Sequence, residues 1–416
     1  MHENTQEITD IILKAAEKAK AETSGEPNPE VVKGTEWPIN CSIGQGLEGA
    51  ISCTTKIGSV NGSKGWLIYR GHNIFDLAAY TTFEEVSYAL LHGKLPNRNE
   101  LEVFNKKLVE YRYLPKTIRS MMSCPIERMN TMAAIKLGTN LMRQAITGAD
   151  IDKLNIIACY HLISGLATVT AAVARIREGK MPIEPDPDLS HSANFLYMMT
   201  GKKPTPIEER IMDVSLILHA DHGMNASTFA AMVVASTLSD MYFAICAGIA
   251  ALNGPLHGGA NEQVLHTLKE IGTVGNVKPW YDDARAEKRK IMGFGHRVYK
   301  AYDPRARILG PLAEYLVNKE GGDALKMYEI AKKLEHLVVS TLGEKKQIFP
   351  NVDFYSGLVY ESMGIPVELF TPIFAVSRVS GWTARVYEYL RDNRIFRPRA
   401  MYLGEYDCKV LPIDER

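Results

Sequence analysis

Thr82 stands three residues before Glu85, an apolar run follows, Gly93 closes it, Pro96 blocks continuation, and Asn97 with Glu100 opens the next run. A hydroxyl or amide at the N-cap and a carboxylate three residues on satisfy two amide donors that a helix start leaves unpaired, while a glycine just past the last turn accepts a left-handed backbone. The pattern predicts helices joined by short turns. The same rhythm recurs over 206–220, 225–252, 258–271, 304–318, 322–342, 353–363 and 371–391. There is no alternation of strand and helix units and no repeat of about 20–50 residues, so the chain reads as all-α.

Two regions vary this rhythm. Residues 5–21 place Ile8, Ile11, Ile12, Ala15 and Ala19 at helical spacing behind Asn4 and Glu7 at capping-box offset, which predicts an amphipathic first helix; 24–40 then reads as a connector. Residues 50–71 carry Val, Ile, Thr and aromatic side chains around Asn61-Gly62, which predicts a small β-hairpin near the N-terminus. Glycine-rich breaks at 254–259 and 293–295 and the turn Gly364-Ile365-Pro366 delimit a second unit. The expected organisation is a large helical domain over 1–257 with an N-terminal extension, a small domain over 258–365, and a return to the large domain over 366–416.

The chain has 416 residues, 46% of them hydrophobic, enough to bury a large core. Its 48 Lys and Arg balance 48 Asp and Glu, so no global charge draws it to nucleic acid or an anionic membrane. Anion binding must come from local clusters. The six cysteines show neither CxxC spacing nor scaffold density, and the acidic N-terminus lacks an apolar core, which together point to the cytoplasm. Stretches 156–174 and 228–252 are apolar enough to suggest membrane spans. They contain His161 and Asp240, are rich in Ala, Ser and Thr and lack basic flanks, so they read as helices buried on all sides.

Chemistry-bearing residues gather at the edges of the second unit. His257 in "LNGPLHGGAN" and His296 in "GFGHRVYK" each sit in a glycine-rich turn, where a ligand can approach the backbone. A neutral imidazole held there can donate an N–H to an oxygen gaining charge, although loop histidines without a role would show the same spacing. Asp353 in "NVDFYSG" has apolar and aromatic neighbours that would raise its basicity; a helix N-cap is the plainer reading. Arg378, inside an apolar run, needs a carboxylate partner, either structural or bound, and Arg305 and Arg397 complete the set. Arg297, Lys300 and Arg307 put positive charge around His296 that could meet phosphates. His219 and His222, at i and i+3, should share a helical face. No cysteine cluster or HExxH stands near them, so no metal site is expected.

The segments "GLEGAI", "KGWLIYRG", "FEEVSYALLHG", "HADHGMNAS", "GPLHGGANE", "GFGHRVYK", "NVDFYSG" and "SRVSGW…RPRAMYLG" together resemble the citrate synthase family, in family order, from about residue 44 to 404. The resemblance implies a mainly α-helical, two-domain homodimer whose small domain closes over substrate. It implies condensation of acetyl-CoA with oxaloacetate and water to citrate and CoA, with acetyl-CoA as co-substrate and no tightly bound cofactor or metal. It further implies that His257 donates to the thioester oxygen, Asp353 removes a methyl proton and His296 polarises the ketone. By the same resemblance His222, Arg305 and Arg378 hold oxaloacetate, Arg397 reaches in from the other subunit, and Arg297 and Lys300 touch CoA.

Residues 1–40 lie outside that resemblance, and a helix contacting or wrapping a partner subunit is expected of them. Two other functions fit the same residues: a 2-methylcitrate synthase taking propionyl-CoA, and a non-catalytic sensor of CoA or a dicarboxylate.

Overall fold

The computed structural model describes residues 3–23, 36–145, 156–406 and 408–416. Up to residue 219 its helices are α1 (Glu3–Ala21), α2 (Ile74–Tyr80), α3 (Phe83–His92), α4 (Arg98–Tyr111), α5 (Pro115–Met122), α6 (Thr131–Ala145), α7 (Ile156–Arg177), α8 (His191–Thr200) and α9 (Pro206–His219). There follow α10 (Ala226–Ser236), α11 (Met241–Leu252), α12 (Ala260–Ile271), α13 (Val277–Ala286), α14 (Pro304–Glu320), α15 (Gly322–Val338), α16 (Glu344–Lys346), α17 (Val352–Ser362) and α18 (Phe370–Tyr389). The all-α reading holds, and the capping boxes at Thr82 and Asn97 form as their spacing predicts.

Four local expectations are corrected. Helix α1 is already running at Glu3, so the position expected to precede it, Asn4, lies inside it. Most of the expected connector, residues 24–35, lies outside the described residues. The hairpin is a three-stranded antiparallel sheet, β1 (Gly58–Asn61), β2 (Trp66–Tyr69) and β3 (His72–Asn73). Its second turn is Arg70-Gly71 at φ 49° and 89°, the doubly left-handed geometry of a tight hairpin turn. An arginine is an uncommon first residue there, but its guanidinium is held by the Leu90 carbonyl at 2.6 and 3.1 Å and by Glu388. The run 225–252 is two helices: Leu238 turns left-handed at φ 66°, and Asp240 restarts the chain by capping Tyr242 and Phe243 amides while pairing with Arg143. Finally, α9 ends at His219, so His222 lies beyond the helix and shares no helical face with it.

Helix α7 runs through the core with α4, α6, α8 and α18 against it. Two of its small polar residues bond to a neighbouring segment: Ser164 Oγ donates to the Leu108 carbonyl and Thr168 Oγ1 to that of Arg112, both on or just past α4. Small side chains allow close approach and their hydroxyls satisfy neighbouring carbonyls, which suits a helix buried nearly all round.

Helix α1 buries Ile8, Ile12, Ala15, Ala16 and Ala19 against α2, α9 and α14 of its own chain. Glu7 accepts from Tyr315 at 2.7 Å and Glu22 pairs with Arg307 at 2.6 Å, both partners on α14. The apolar face of this helix is thus covered within the chain. Helices α12 to α15 and α17 pack largely among themselves, and they carry three of the residues singled out above at or near their N-termini.

Candidate active site

Two sequence-distant loops are zipped together to build the site. Gly295 N donates to the Phe349 carbonyl at 2.8 Å, Asn351 N to the Gly293 carbonyl at 2.9 Å, and the Asn351 side-chain amide to the Gly295 carbonyl at 3.0 Å. His296 is thereby held beside the start of α17, whose N-cap is Asn351: its side chain accepts from Asp353 N. The plainer reading of Asp353 as an N-cap is therefore set aside. Its carboxyl is free for other work: Oδ1 is buried without a hydrogen-bond partner among the described residues. Burial pushes this carboxyl up to about 7, against the lowering pull of Arg305 and Arg378 and with a further push from Asp303.

Both glycine-flanked histidines are neutral, each held by one ring nitrogen. His296 Nδ1 accepts from the amides of Val298 and Tyr299 at 3.0 and 3.2 Å, so Nε2 carries the proton. His257 Nε2 accepts from the Ser227 amide at 3.3 Å and lies 2.7 Å from the Ser227 hydroxyl, which assigns its proton to Nδ1. Burial lowers both to about 4. Each therefore offers one N–H at neutral pH, fixed in direction by backbone donors at its other nitrogen. The turn bearing His257 closes through Gly258 N onto the Leu252 carbonyl at 3.0 Å, and a Cβ at Gly258 would sit 2.4 Å from that oxygen.

Positive charge lines the same space. Arg305 forms a two-pronged pair with Asp303 at 3.0 and 2.8 Å, and Asp303 also accepts from Arg305 N and Val352 N, tying the N-termini of α14 and α17 together. Arg378 is 1% exposed, donates through Nε to the His219 carbonyl and lies 4.6 Å from the Phe374 ring centroid. Among the described residues no carboxylate is within ion-pair reach of it, and one of its terminal nitrogens is buried unpaired. Burial lowers it only to about 10, so it stays cationic. His222 stands against His296 with ring centroids 5.1 Å apart, and its Nε2 is 3.2 Å from the Tyr299 hydroxyl. His219 donates from Nδ1 to the Ser215 carbonyl and leaves Nε2 buried and unpaired.

The structure thus gathers His222, His257, His296, Arg305, Asp353 and Arg378. It does not gather the other three. Arg397 is exposed in the irregular segment after α18, just beyond Phe396, which is anchored on Phe229 and Tyr389. Arg297 and Lys300 are exposed on the loop after His296, whose backbone is held to the β1–β2 loop by Lys300 N donating to the Gly62 carbonyl at 3.0 Å. Neither of two cavities, about 510 Å³ beside Arg98 and Leu101 and about 370 Å³ beside Arg177 and Gln263, contains the gathered residues.

Sequence reading missed the frame of the site. Asp221 and Arg385 form a buried two-pronged pair at 2.7 Å, and Tyr69 donates to the Asp221 carbonyl. Ser227, which fixes His257, also accepts from Trp382. One signal was available: Arg385 lies seven residues after Arg378 in an apolar helix, on the same face.

A neutral N–H at each of two turns, a carboxyl near neutrality and a buried unpaired guanidinium suit removal of a proton beside a carbonyl and attack of the resulting carbanion equivalent on a second carbonyl. Comparison with known proteins agrees. The family model for the citrate synthase C-terminal domain matches residues 46–399. The chain is 46% identical over 378 residues to a citrate synthase of Synechocystis sp., covering 89% of this chain and 94% of that one. It is 44% identical to one of Deinococcus radiodurans, covering 90% and 99%. Among solved structures, a ternary complex of carboxymethyl coenzyme A and oxaloacetate with citrate synthase from Thermoplasma acidophilum superposes with a TM-score of 0.85 at 37% identity, covering 91% of this chain and all of that one. The chain belongs to the citrate synthase family. These named relatives do not favour the 2-methylcitrate alternative.

Proposed function

We propose that the protein is an enzyme that condenses acetyl-CoA with oxaloacetate and water to give citrate and CoA. The observation that carries this reading is Arg378, a fully buried cation without a carboxylate partner among the described residues, set beside neutral imidazoles and a carboxyl pushed up to about 7. An unpaired buried guanidinium is costly, and an anionic substrate is the partner that relieves it.

In the mechanism Asp353 takes a proton from the acetyl methyl while His257 Nδ1–H donates to the thioester oxygen, so that charge is neutralised as the enolate forms. An aspartate is a weak base for a carbon acid, and each pKa unit of mismatch costs about 1.4 kcal/mol. The elevated pKa and the aimed N–H offset that mismatch from both sides. His296 Nε2–H polarises the ketone of oxaloacetate, the enolate carbon attacks the ketone carbon, and water then cleaves the citryl thioester to citrate and free CoA. His222, Arg378 and the remaining face of Arg305 hold the oxaloacetate carboxylates; orientation of this kind is a large part of such rate enhancements.

The proposal extends to organisation. A small domain over 258–365 closes on the large one (1–257 and 366–416), excluding water until the thioester is ready for hydrolysis. Two copies form a homodimer in which Arg397 of each completes the other's site, which fits its exposure away from its own Arg378. Arg297 and Lys300 meet CoA phosphates, no cofactor is tightly held, and the free cysteines fit a cytoplasmic setting.

The test is oxaloacetate-dependent release of CoA thiol from acetyl-CoA and propionyl-CoA in parallel. Acetyl-CoA should have the higher kcat/KM; one methylene is worth about 1–3 kcal/mol, so some propionyl turnover is expected. Preference for propionyl-CoA would make the protein a methylcitrate synthase, and no release from either would leave the sensor reading.

A further inference from the structure

Glu335 lies near the end of α15, is buried, and is not among the residues that touch substrate in the mechanism above. Its carboxylate accepts from two phenols at once, Tyr302 on Oε1 and Tyr355 on Oε2, the latter at 2.5 Å, while Lys332 Nζ lies 2.7 Å from Oε2. The two phenols belong to the two segments whose relative position matters most. Tyr302 immediately precedes Asp303, the partner of Arg305, and Tyr355 lies two residues after Asp353 in the first turns of α17. Burial and the neighbouring carboxylate push both phenols well above their usual range, so both remain donors throughout the pH range of activity.

The segments are already joined by Val352 N donating to Asp303 Oδ2 at 3.3 Å and by the packing of α14 along α17, with the Tyr355 ring against Gly310. Packing of apolar surfaces brings the helices together but is non-directional. A small rotation of the first turns of α17 would swing the Asp353 carboxyl relative to Arg305. The Tyr302–Glu335–Tyr355 bridge adds a directional polar link that opposes such a rotation. The far side of the bridge is held too: Arg307 lies 4.5 Å from the Tyr302 ring centroid and pairs with Glu22 at the end of α1.

We propose that Glu335 is a positioning residue for the Asp353 carboxyl, holding the first turns of α17 at a fixed angle to the Asp303–Arg305 pair through its two tyrosines. This rests on the reading of Asp353 as the proton-abstracting base. The charged and titratable groups acting on Asp353 are Arg305, Asp303, Arg378 and Lys290, with Tyr360 on its own helix; those around Glu335 are Tyr302, Tyr355, Lys332 and Tyr328. Glu335 reaches Asp353 through the bridge and not through its own charge. Geometry is accordingly what its replacement alters.

The experiment compares wild type, Glu335→Gln and Tyr355→Phe in the full chain. It measures CoA release against pH and the primary isotope effect on kcat with acetyl-CoA deuterated in the methyl group. Glutamine has the same shape but offers one acceptor oxygen, and phenylalanine keeps the ring while deleting the link to α17. In each variant kcat falls about 10–100-fold, the loss expected of a base displaced by the order of 1 Å. The isotope effect rises, the KM for oxaloacetate stays near wild type, and the acid-side midpoint of kcat/KM moves down as water reaches Asp353. A variant that melts earlier but keeps the wild-type kcat, midpoint and isotope effect overturns the proposal. Should Glu335→Gln not fold, Tyr355→Phe decides alone. Absence of oxaloacetate-dependent CoA release from the wild type overturns the underlying reading instead, and is told apart by that control.

Discussion

Asp353 sits in the first turn of α17, where the positive end of the helix favours ionisation, and two guanidinium groups pull the same way. Burial outweighs them, and the consequences for activity and stability have opposite signs. Activity needs the ionised form, so kcat/KM should rise with pH through about 7, with no matching step from His257 or His296, which are already neutral above about 4. The folded pKa lies above the ordinary 3.8, so the folded state binds this proton more tightly than the unfolded state does. That stabilising contribution is complete below the ordinary value and is lost as pH rises through about 7. Asp353→Asn should therefore match wild type in stability at low pH and exceed it by about 4 kcal/mol at pH 8, measured by urea unfolding. Its turnover should fall about 10²–10⁴-fold. Arg378 makes a parallel case. Arg378→Met should melt no earlier than wild type, because the charge it removes is buried and unpaired, and oxaloacetate should raise the melting temperature of wild type but not of the variant. Equal thermal shifts in both would remove Arg378 from the oxaloacetate site.

At the scale of elements, what the sequence disclosed depended on whether a signal was local. The capping boxes at Thr82 and Asn97 are complete within four residues and form as spaced. The turn at Arg70-Gly71 carries no such signal, because its arginine is tolerated through bonds to Leu90 and Glu388, one of them over three hundred residues away in sequence. The same holds for the site: His257, His296 and Asp353 stood out by their immediate neighbours, whereas Ser227, Asp221 and Arg385 act through contacts that only folding creates. Glycine next to His257 was read as room for substrate; Gly258 is also required by the turn itself, which closes on the Leu252 carbonyl. Helix α1 follows the same logic. Its periodicity revealed an apolar face, but not which surface would cover it. Because Ile12 is completely buried between α1 and its neighbours, Ile12→Ala should cost about 2–4 kcal/mol and lower the melting temperature by several degrees. An unchanged melting temperature would mean that α1 does not dock on α2, α9 and α14 in solution.

For the whole molecule, one chain brings together the proposed base Asp353, the proposed N–H donors His257 and His296, and two buried arginines, from loops, helix N-termini and the interior of α18 spread over residues 257–378. Arg397 is the exception, exposed at the start of a tail in which Met401, Tyr402, Leu403 and Tyr406 are also exposed. A tail so apolar needs a surface, and a second copy of the chain would provide one while bringing Arg397 to a site other than its own. Subunit mixing separates the two arrangements. Arg397→Ala and Asp353→Ala should each be nearly inactive alone. If Arg397 acts on its partner's site, a mixed dimer has one site lacking both groups and one site lacking neither. Random re-pairing of equal amounts makes half of the dimers mixed, so about a quarter of wild-type activity should return. If Arg397 acts within its own chain, every site in every dimer lacks one group, and mixing restores nothing.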